Sequence, residues 1–320
     1  MGDVWTTVGD QQLSLSNLDK VLFPEAGWTK AEVINYYVQI APTLLPHIVD
    51  RAVTRIRFPD GVGELAMQFY EKNLPPGCPD WVGRQQVRTS DGVVSYVTAD
   101  NAATLVYLAN LAALELHVPQ WSIGSATPDT DGVITLPGKE PAEADPLADR
   151  IVVDCDPGPG ITMIDNARAA MIIAAELAGD GLIPVAKTSG NKGLQVSAAI
   201  APAPCEDARA YVQAVASRLS RRHKELFVVQ VAKAARANRI FLDYNQNMAA
   251  RNTIAPYSLR ARPHPRVATP LTWDEVAAVD DPTALQFSPE DVLARVTEHG
   301  DLAEDLLITD PPALPDIGRN

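Results

Sequence analysis

Cysteine is scarce in this chain. The three present, Cys78, Cys155 and Cys205, are odd in number and lie far apart. They supply neither a disulfide framework nor the paired spacing of a zinc site, and a reducing cytoplasm is the simple reading. Long apolar runs are also missing. No window approaches about 18 consecutive apolar residues, which speaks against a membrane-spanning helix. The opening MGDVWTTVGDQQ is polar and lacks the apolar stretch of a secretory signal. Gly2 followed by Thr6 fits the N-myristoylation pattern, which is too short to carry weight. No internal repeat is evident. Positive charge is in deficit, with a net charge of −13. Spread evenly, that would argue against a polyanionic partner. It is not spread evenly: residues 206–266 hold twelve Lys/Arg against four Asp/Glu, and residues 267–320 hold two against twelve. An acidic chain can therefore carry a basic face, although a solvated helix surface gives the same bias.

What is present reads as an α/β chain. Thr29-Lys30-Ala31-Glu32 is a capping box that opens a helix through VINYYVQIAPTLL, with an interruption expected at Pro42. A polar, Gly/Pro-rich stretch covers about residues 59–80, and SDGVVSYVTAD reads as strand and turn. Asp100 is the expected cap of a buried helix through ATLVYLANLAALELH. Residues 122–148, rich in Pro, Gly, Asp and Ala, read as a connecting loop. After it, IVVDCD, NARAAMIIAAELAGDG, LIPVAKTSG, GLQVSAAI, EDARAYVQAVASRLSRRHKEL and RIFLDYN follow as strand, helix, strand, strand, helix, strand. That is the split βαβ, ferredoxin-like order. Ser288 and Pro289 open a late helix, and DPPALPDIGRN reads as unstructured.

The chemistry concentrates at strand ends. In IVVDCDPGPG, alternation puts Asp154 and Asp156 on one face, with Cα atoms about 6.5–7 Å apart, and Cys155 on the other. An Asp-x-Asp alone is more readily a turn signal than a cation site. In NRIFLDYNQN a second apolar run ends in Asp243. The split βαβ order can place that strand beside the first, so three carboxylates could meet on one face as hard oxygen ligands for Mg²⁺ or Mn²⁺. KTSGNKG, between two strands, offers a Gly/Ser/Asn turn with backbone N–H groups and Lys192 for phosphate oxygens, without Walker A spacing. His117, and Phe69 with Tyr70, read on their own as structural residues.

Taken together, these pieces resemble the polymerase domain of bacterial ligase D, within the archaeo-eukaryotic primase superfamily. The resemblance runs from about residue 13 to residue 275. It is carried by LSNLDKVLFP, WTKAEVINYY, FYEKN with PDW, ATLVYLANLAALELHVPQW, VVDCDPG, TSGNKG, DYNQN and TIAPYSLRAR. It implies a catalytic core of RNA-recognition-motif type (149–275) beside an N-terminal α/β module (1–121), with 122–148 connecting them and an acidic helix and tail over 276–320, all within one compact unit. It implies a template-dependent primase-polymerase that extends a primer 3′-hydroxyl with a preference for ribonucleotides. Such an enzyme would fill short, 5′-phosphorylated gaps in DNA during end joining or excision repair.

Residue by residue, the resemblance makes Asp154, Asp156 and Asp243 the catalytic ligands of two Mn²⁺ or Mg²⁺ ions. It places Ser189, Lys192 and Arg260 near the triphosphate of an NTP or dNTP, and His117 and Gln246 along the nucleotide pocket. Asn17, Lys20 and Lys30 match a pocket for a downstream DNA 5′-phosphate. Phe69 and Tyr70 match template-stacking aromatics, with Arg57 nearby. The sequence departs from the family pattern in three ways. Gln195 stands where the family carries histidine, GVGELAMQ (61–68) is longer than the family's segment, and no ligase or nuclease domain is evident. The expectation is a monomeric, stand-alone, cytoplasmic and nucleoid-associated bacterial enzyme similar to the actinobacterial Prim-PolC group, working with a separate ligase or repair proteins. A DNA-end-binding scaffold and an Asp-x-Asp glycosyltransferase are the alternatives.

Overall fold

The computed structural model describes residues 3–137, 145–230, 232 and 236–316. Gly2 and the myristoylation pattern it begins, residues 138–144 of the connecting stretch, Lys233 of the basic segment and the last four residues lie outside that description.

The elements that position the site are, in chain order, α1 (Lys30–Ile48), β1 (Thr54–Arg57), β2 (Phe69–Glu71), α2 (Ala102–Asn110), β3 (Ala113–Val118), β4 (Leu147–Pro157), α3 (Met163–Gly179), β5 (Val185–Thr188), β6 (Leu194–Pro204), α4 (Cys205–Arg222), β7 (Phe227–Val228), β8 (Ile240–Asp243), β9 (Thr253–Ile254), β10 (Leu259–Arg260), β11 (Arg266–Val267), β12 (Pro270–Leu271), α5 (Trp273–Ala277) and α6 (Pro289–His299). A six-stranded sheet runs β7-β8-β4-β6-β5-β12. Its inner four strands are antiparallel neighbours in the ferredoxin-like order expected from the sequence. Ile151, Val153 and Cys155 of β4 join residues of α3 and α4 in one apolar core, which leaves the opposite face for chemistry.

A four-stranded sheet, β9-β3-β1-β2, forms the second layer. It shares a core with α1 and α2, and Ala255, Tyr257, Leu259 and Val267 from far along the chain complete that core. The crossing matters: β9 pairs with β3, so residues after the catalytic strands close the N-terminal sheet. The connecting stretch is likewise drawn in. Ile134–Thr135 pairs in parallel with the 83–89 strand, and Ala148 bridges Trp121.

Several local expectations are met and several are corrected. The Thr29 capping box opens α1 as expected. The helix runs unbroken through both Pro42 and Pro46. Its apolar residues Tyr36, Tyr37, Ile40 and Leu44 are fully buried, and that packing outweighs the backbone bonds the prolines forfeit. Asn101, not Asp100, caps α2, accepting the Thr104 N–H at 2.9 Å. The helix stops at Asn110, and ALELHV continues as a strand because Ala112 takes a left-handed φ of 57° and turns the chain. An all-apolar run does not by itself separate a buried helix from a buried strand. Ser288 and Pro289 open α6, where Asp291 completes a capping box. Residues 310–316 have no regular secondary structure but are not loose: Ala201 donates its N–H to the Pro312 carbonyl at 2.8 Å, and Leu314 packs on the core.

Candidate active site

β4 and β8 run antiparallel with Asp154 and Asp243 as cross-strand partners. Gln195 on β6 lies opposite Asp154 on its other side, and Lys187 on β5 lies opposite Gln195. Directly paired residues share a face, so one row, Asp243, Asp154, Gln195, Lys187, crosses four strands on the side away from α3 and α4. Asp156 stands on the same face, two residues along from Asp154. Three members of the row are linked by hydrogen bonds. Lys187 Nζ donates to Gln195 Oε1 at 2.7 Å, and Gln195 Nε2 donates to Asp154 Oδ1 at 3.1 Å. A lysine can only donate here, so it dictates which way the amide points and turns the N–H₂ end to the carboxylate.

Electrostatics mark this row. Burial, then the charge of Asp156, pushes the Asp154 carboxyl up to about 7, against the pull of the Gln195 bond. Asp156 is raised by burial and by Asp243, and Arg236 opposes the shift. Arg236 lies 3.5 Å from Asp156 and 3.9 Å from the Phe241 ring centroid. Burial lowers Lys187, 6% exposed, to about 7, while Asp154 pulls the other way.

Three hard carboxylates on one face suit a divalent Mg²⁺ or Mn²⁺, and burial followed by mutual repulsion raises the Asp154 and Asp156 carboxyls, a penalty a cation would relieve. Among the described residues, however, no three His, Cys, Asp or Glu side chains are gathered tightly enough to cage a metal as they stand. Each carboxylate is turned to its own donor. Asp154 accepts from Gln195, Asp156 faces Arg236, and Asp243 accepts from Gln246 Nε2 at 2.8 Å and the Asn245 N–H at 3.0 Å. The donor set fits the ion; the cage is not pre-closed.

Asp154 and Asp156 open into a cleft of about 450 Å³ that also brings together His117, Ser189, Lys192, Gln246 and Arg260. The 189–193 loop is tighter than an open nest. Ser189 donates its N–H to the Gly193 carbonyl, and the Asn191 and Gly193 N–H groups both donate to Ser189 Oγ at 3.3 Å. Those three amides are used inside the turn, and Ser189, Asn191 and Lys192 line the cleft. Two glycines make the loop possible. A Cβ on Gly193 would sit 2.3 Å from the Cys155 carbonyl, and one on Gly190, whose φ is 67°, would sit 2.3 Å from Arg260 Cγ.

His117 is on β3, not after a helix. Its Nε2 lies 3.0 Å from buried Glu115, which also accepts from Arg260 at 2.8 Å and from the Ala261 N–H at 3.0 Å. Burial lowers the His117 imidazole below its usual range despite Glu115. Glu115 is itself held low, its burial outweighed by His117, Arg260 and the Ala261 amide.

The remaining predicted residues form two outlying groups. Asn17 has a left-handed φ of 51° in a tight turn in which Lys20 N–H donates to its carbonyl. The turn is pinned to the start of α1, because Lys30 N–H donates to the Lys20 carbonyl at 2.8 Å. Lys30 is buried and donates Nζ to the Asn110 carbonyl at 2.8 Å; burial first, then Lys20, lowers its pKa. Lys20 meets Asp60 at 2.9 Å. Phe69 and Tyr70 are exposed on β2, at the edge of the four-stranded sheet. Arg57 is the cross-strand partner of Phe69, but its guanidinium is held by Glu71 and the Leu111 carbonyl.

The sequence reading missed Lys187, Glu115, Arg236 and Asn247. Lys187 was findable from alternation across KTSGNKGLQ, and Glu115 once ELH is a strand. Asn247 is fully buried and exchanges two hydrogen bonds with the Val152 backbone, fixing DYNQN to β4. The basic segment divides. Arg209, Arg218 and Arg222 of α4 pair with Glu206, Glu176 and Asp180 on solvated helix faces, whereas Arg236 and Arg260 face the cleft.

Comparison with known proteins identifies the family. The family described as LigD, primase-polymerase domain, matches residues 29–303. The multifunctional non-homologous end joining protein LigD of Mycobacterium bovis is 38% identical over 94% of this chain, and that of Mycolicibacterium smegmatis 39% over 93%. The chain spans 38% and 36% of their lengths. The solved polymerase domain of Mycobacterium tuberculosis ligase D in complex with DNA superposes with a TM-score of 0.83 at 38% identity, covering 94% of this chain and all of that one. The chain belongs to the LigD primase-polymerase domain family.

Proposed function

We propose that this chain is a template-dependent DNA polymerase of the primase type, a nucleotidyltransferase that extends a primer 3′-hydroxyl across short, 5′-phosphorylated gaps in DNA repair, with a preference for NTPs over dNTPs. The observation that carries the reading is that Asp154, Asp156 and Asp243 share one face of the sheet, with Asp154 and Asp156 lining a cleft that is also lined by Ser189, Lys192 and Arg260. The relatives support it by name as end-joining proteins, and the structural neighbour by its bound DNA.

In this reading the 3′-oxygen attacks the α-phosphorus of the nucleotide and pyrophosphate leaves. Asp154, Asp156 and Asp243 would hold a pair of divalent ions, Mn²⁺ or Mg²⁺, which supply a lowered 3′-hydroxyl pKa and neutralise charge on the leaving group. Lys192 and Arg260 bind the triphosphate as a point charge and a planar fork, and Ser189 adds a hydroxyl. Glu115 orients Arg260 and His117, while Gln246 lines the nucleotide site and holds Asp243. Asn17, Lys20 and Lys30 form the 5′-phosphate pocket at the α1 N-terminus, where anions are favoured. Phe69 and Tyr70 stack on template bases, with Arg57 fixing their strand. The two sheets act as one polymerase unit, because β9 ties residues beyond the catalytic strands into the N-terminal sheet. Filling the gap leaves a 3′-hydroxyl beside a 5′-phosphate, the substrate of a ligase.

The test is primer extension on a gapped duplex with Mn²⁺ and each NTP. Wild type should extend to the end of the gap, faster when the downstream strand carries a 5′-phosphate. Asp156→Ala should be inactive while still binding DNA. Absence of extension by wild type would refute the polymerase reading and leave a DNA-end-binding scaffold.

A further inference from the structure

Behind the 189–193 loop lies a second groove, of about 290 Å³, that shares Asn191 and Lys192 with the active cleft. Its other wall is the hairpin formed by β10 and β11 and the turn between them. Arg260 and Arg266 are cross-strand partners in that hairpin. Arg260 lines the active cleft, whereas Arg262, His264 and Arg266 line the groove.

We propose that this groove is a second phosphate-binding site, which takes the sugar-phosphate backbone of a single nucleic-acid strand as it passes the nucleotide cleft. The proposal rests on the polymerase reading above. Three cations line the groove and no carboxylate does, in a chain whose net charge is −13. Neither Arg262 nor Arg266 forms an ion pair among the described residues, in contrast to Arg260 and the α4 arginines. Arg266 reaches only the Gln286 amide oxygen, at 3.0 Å. Arg262 is half-buried, with its Nε shut off from solvent and without a hydrogen-bond partner. A cation left without a counter-charge is costly unless a ligand supplies one. His264 alone meets an acid, Glu25 at 3.5 Å, which lies outside the lining.

The apolar part of the lining selects the ligand. Val267, Leu285 and Phe287 complete it, and Leu285 is held at a φ of 60°, a strained conformation for a non-glycine residue. Apolar surface beside guanidinium groups suits sugars and bases strung on phosphates. A bare triphosphate would leave that surface without a partner. Contiguity through Lys192 means that a strand in the groove lies next to the nucleotide being added.

The test is fluorescence anisotropy with a labelled single-stranded dT oligonucleotide lacking a 5′-phosphate, measured across a KCl series. Wild type is compared with Arg262→Gln/Arg266→Gln and with Arg262→Lys/Arg266→Lys. ATP affinity is measured in parallel by calorimetry with Mn²⁺. The Gln double variant should bind the strand several-fold more weakly. Its slope of log affinity against log salt should fall by about 0.7 for each lost phosphate contact. The Lys variant should recover most of the slope, and ATP affinity should not change in either. An unchanged salt slope would overturn the proposal. So would a loss confined to ATP affinity, which would assign the groove to the nucleotide. Both outcomes are distinct from failure of the polymerase reading, which shows as no extension by wild type.

Discussion

Lys187→Met tests the row beneath the carboxylates. Methionine keeps the length and removes the donor to Gln195. Lys187 titrates near 7 in the fold, against 10.5 for an ordinary lysine. At about 1.4 kcal/mol per pKa unit, burying the ammonium costs roughly 5 kcal/mol. The sign follows from proton counts. Below pH 7 both folded and unfolded lysine are protonated, and the whole cost is present. Between 7 and 10.5 the unfolded state holds one more proton, so wild-type stability rises with pH, and by pH 9 only about 2 kcal/mol of the cost remains. Against this, the variant loses a buried hydrogen bond and orphans Gln195 Oε1, a loss of about 1–3 kcal/mol at any pH. In metal-free buffer Lys187→Met should therefore be more stable than wild type at pH 6, by about 2–4 kcal/mol, and within about 1 kcal/mol of wild type at pH 9. Asp154 moves the difference the same way. Without the lysine charge its carboxyl, already raised to about 7, rises further, and a proton kept by the fold makes stability fall with pH. The assay is urea unfolding at pH 6, 7, 8 and 9 with chelator. Parallel stability curves for the two proteins would refute the reasoning. With the amide released, Mn²⁺ should also raise the melting temperature of the variant less than that of wild type.

Two further predictions follow from the same geometry. Gly190→Ala places a Cβ against Arg260 at a φ of 67°, so it should cost about 1–3 kcal/mol of stability and weaken ATP binding at least several-fold, as read by urea unfolding and calorimetry. Gln195→His can accept from Lys187 on one ring nitrogen and donate to Asp154 on the other, so primer extension at pH 8 should stay within about threefold of wild type. Gln195→Leu breaks both bonds and should lose at least about tenfold, since a bond to a charged acceptor contributes about 1.5–3 kcal/mol.

How much was legible in the sequence divides by the range of the interaction. Caps were legible, because Thr29, Ser288 and their acidic partners three residues on interact locally. The ferredoxin-like order was legible from alternating apolar runs, and the Asp154 and Asp156 face from strand periodicity. Asp243 opposite Asp154 was legible only as a consequence of that topology. What escaped was set by tertiary contact. ALELHV is a strand because β1 and β9 flank it, and nothing local distinguishes it from the helix before it. The amides of Ser189, Asn191 and Gly193 bond within the loop, because the turn that brings Gly193 against the Cys155 carbonyl closes on Ser189. Lys187 became significant only when register placed Gln195 between it and Asp154.

The turn after Asp156 shows how far such constraint reaches. In DPGPG, the two glycines serve the packing of that turn. A Cβ on Gly158 would lie 1.7 Å from the Arg236 carbonyl, and one on Gly160 would lie 2.1 Å from Asn238 Oδ1. Gly158 N–H donates to the Arg239 carbonyl at 2.9 Å, and Asn238 N–H donates to the Pro159 carbonyl at 2.8 Å. The glycines therefore dock the 236–239 turn backbone to backbone against the end of β4. That docking sets Arg236 over Phe241 and toward Asp156, the charge that opposes the rise of the Asp156 carboxyl. Asp154 receives its donor across the sheet from β6, and Asp243 receives its donor from the turn that follows it. Three carboxylates brought together by strand pairing are thus each held by a donor from a different segment. The arrangement lets acids that repel one another share a face before any cation arrives.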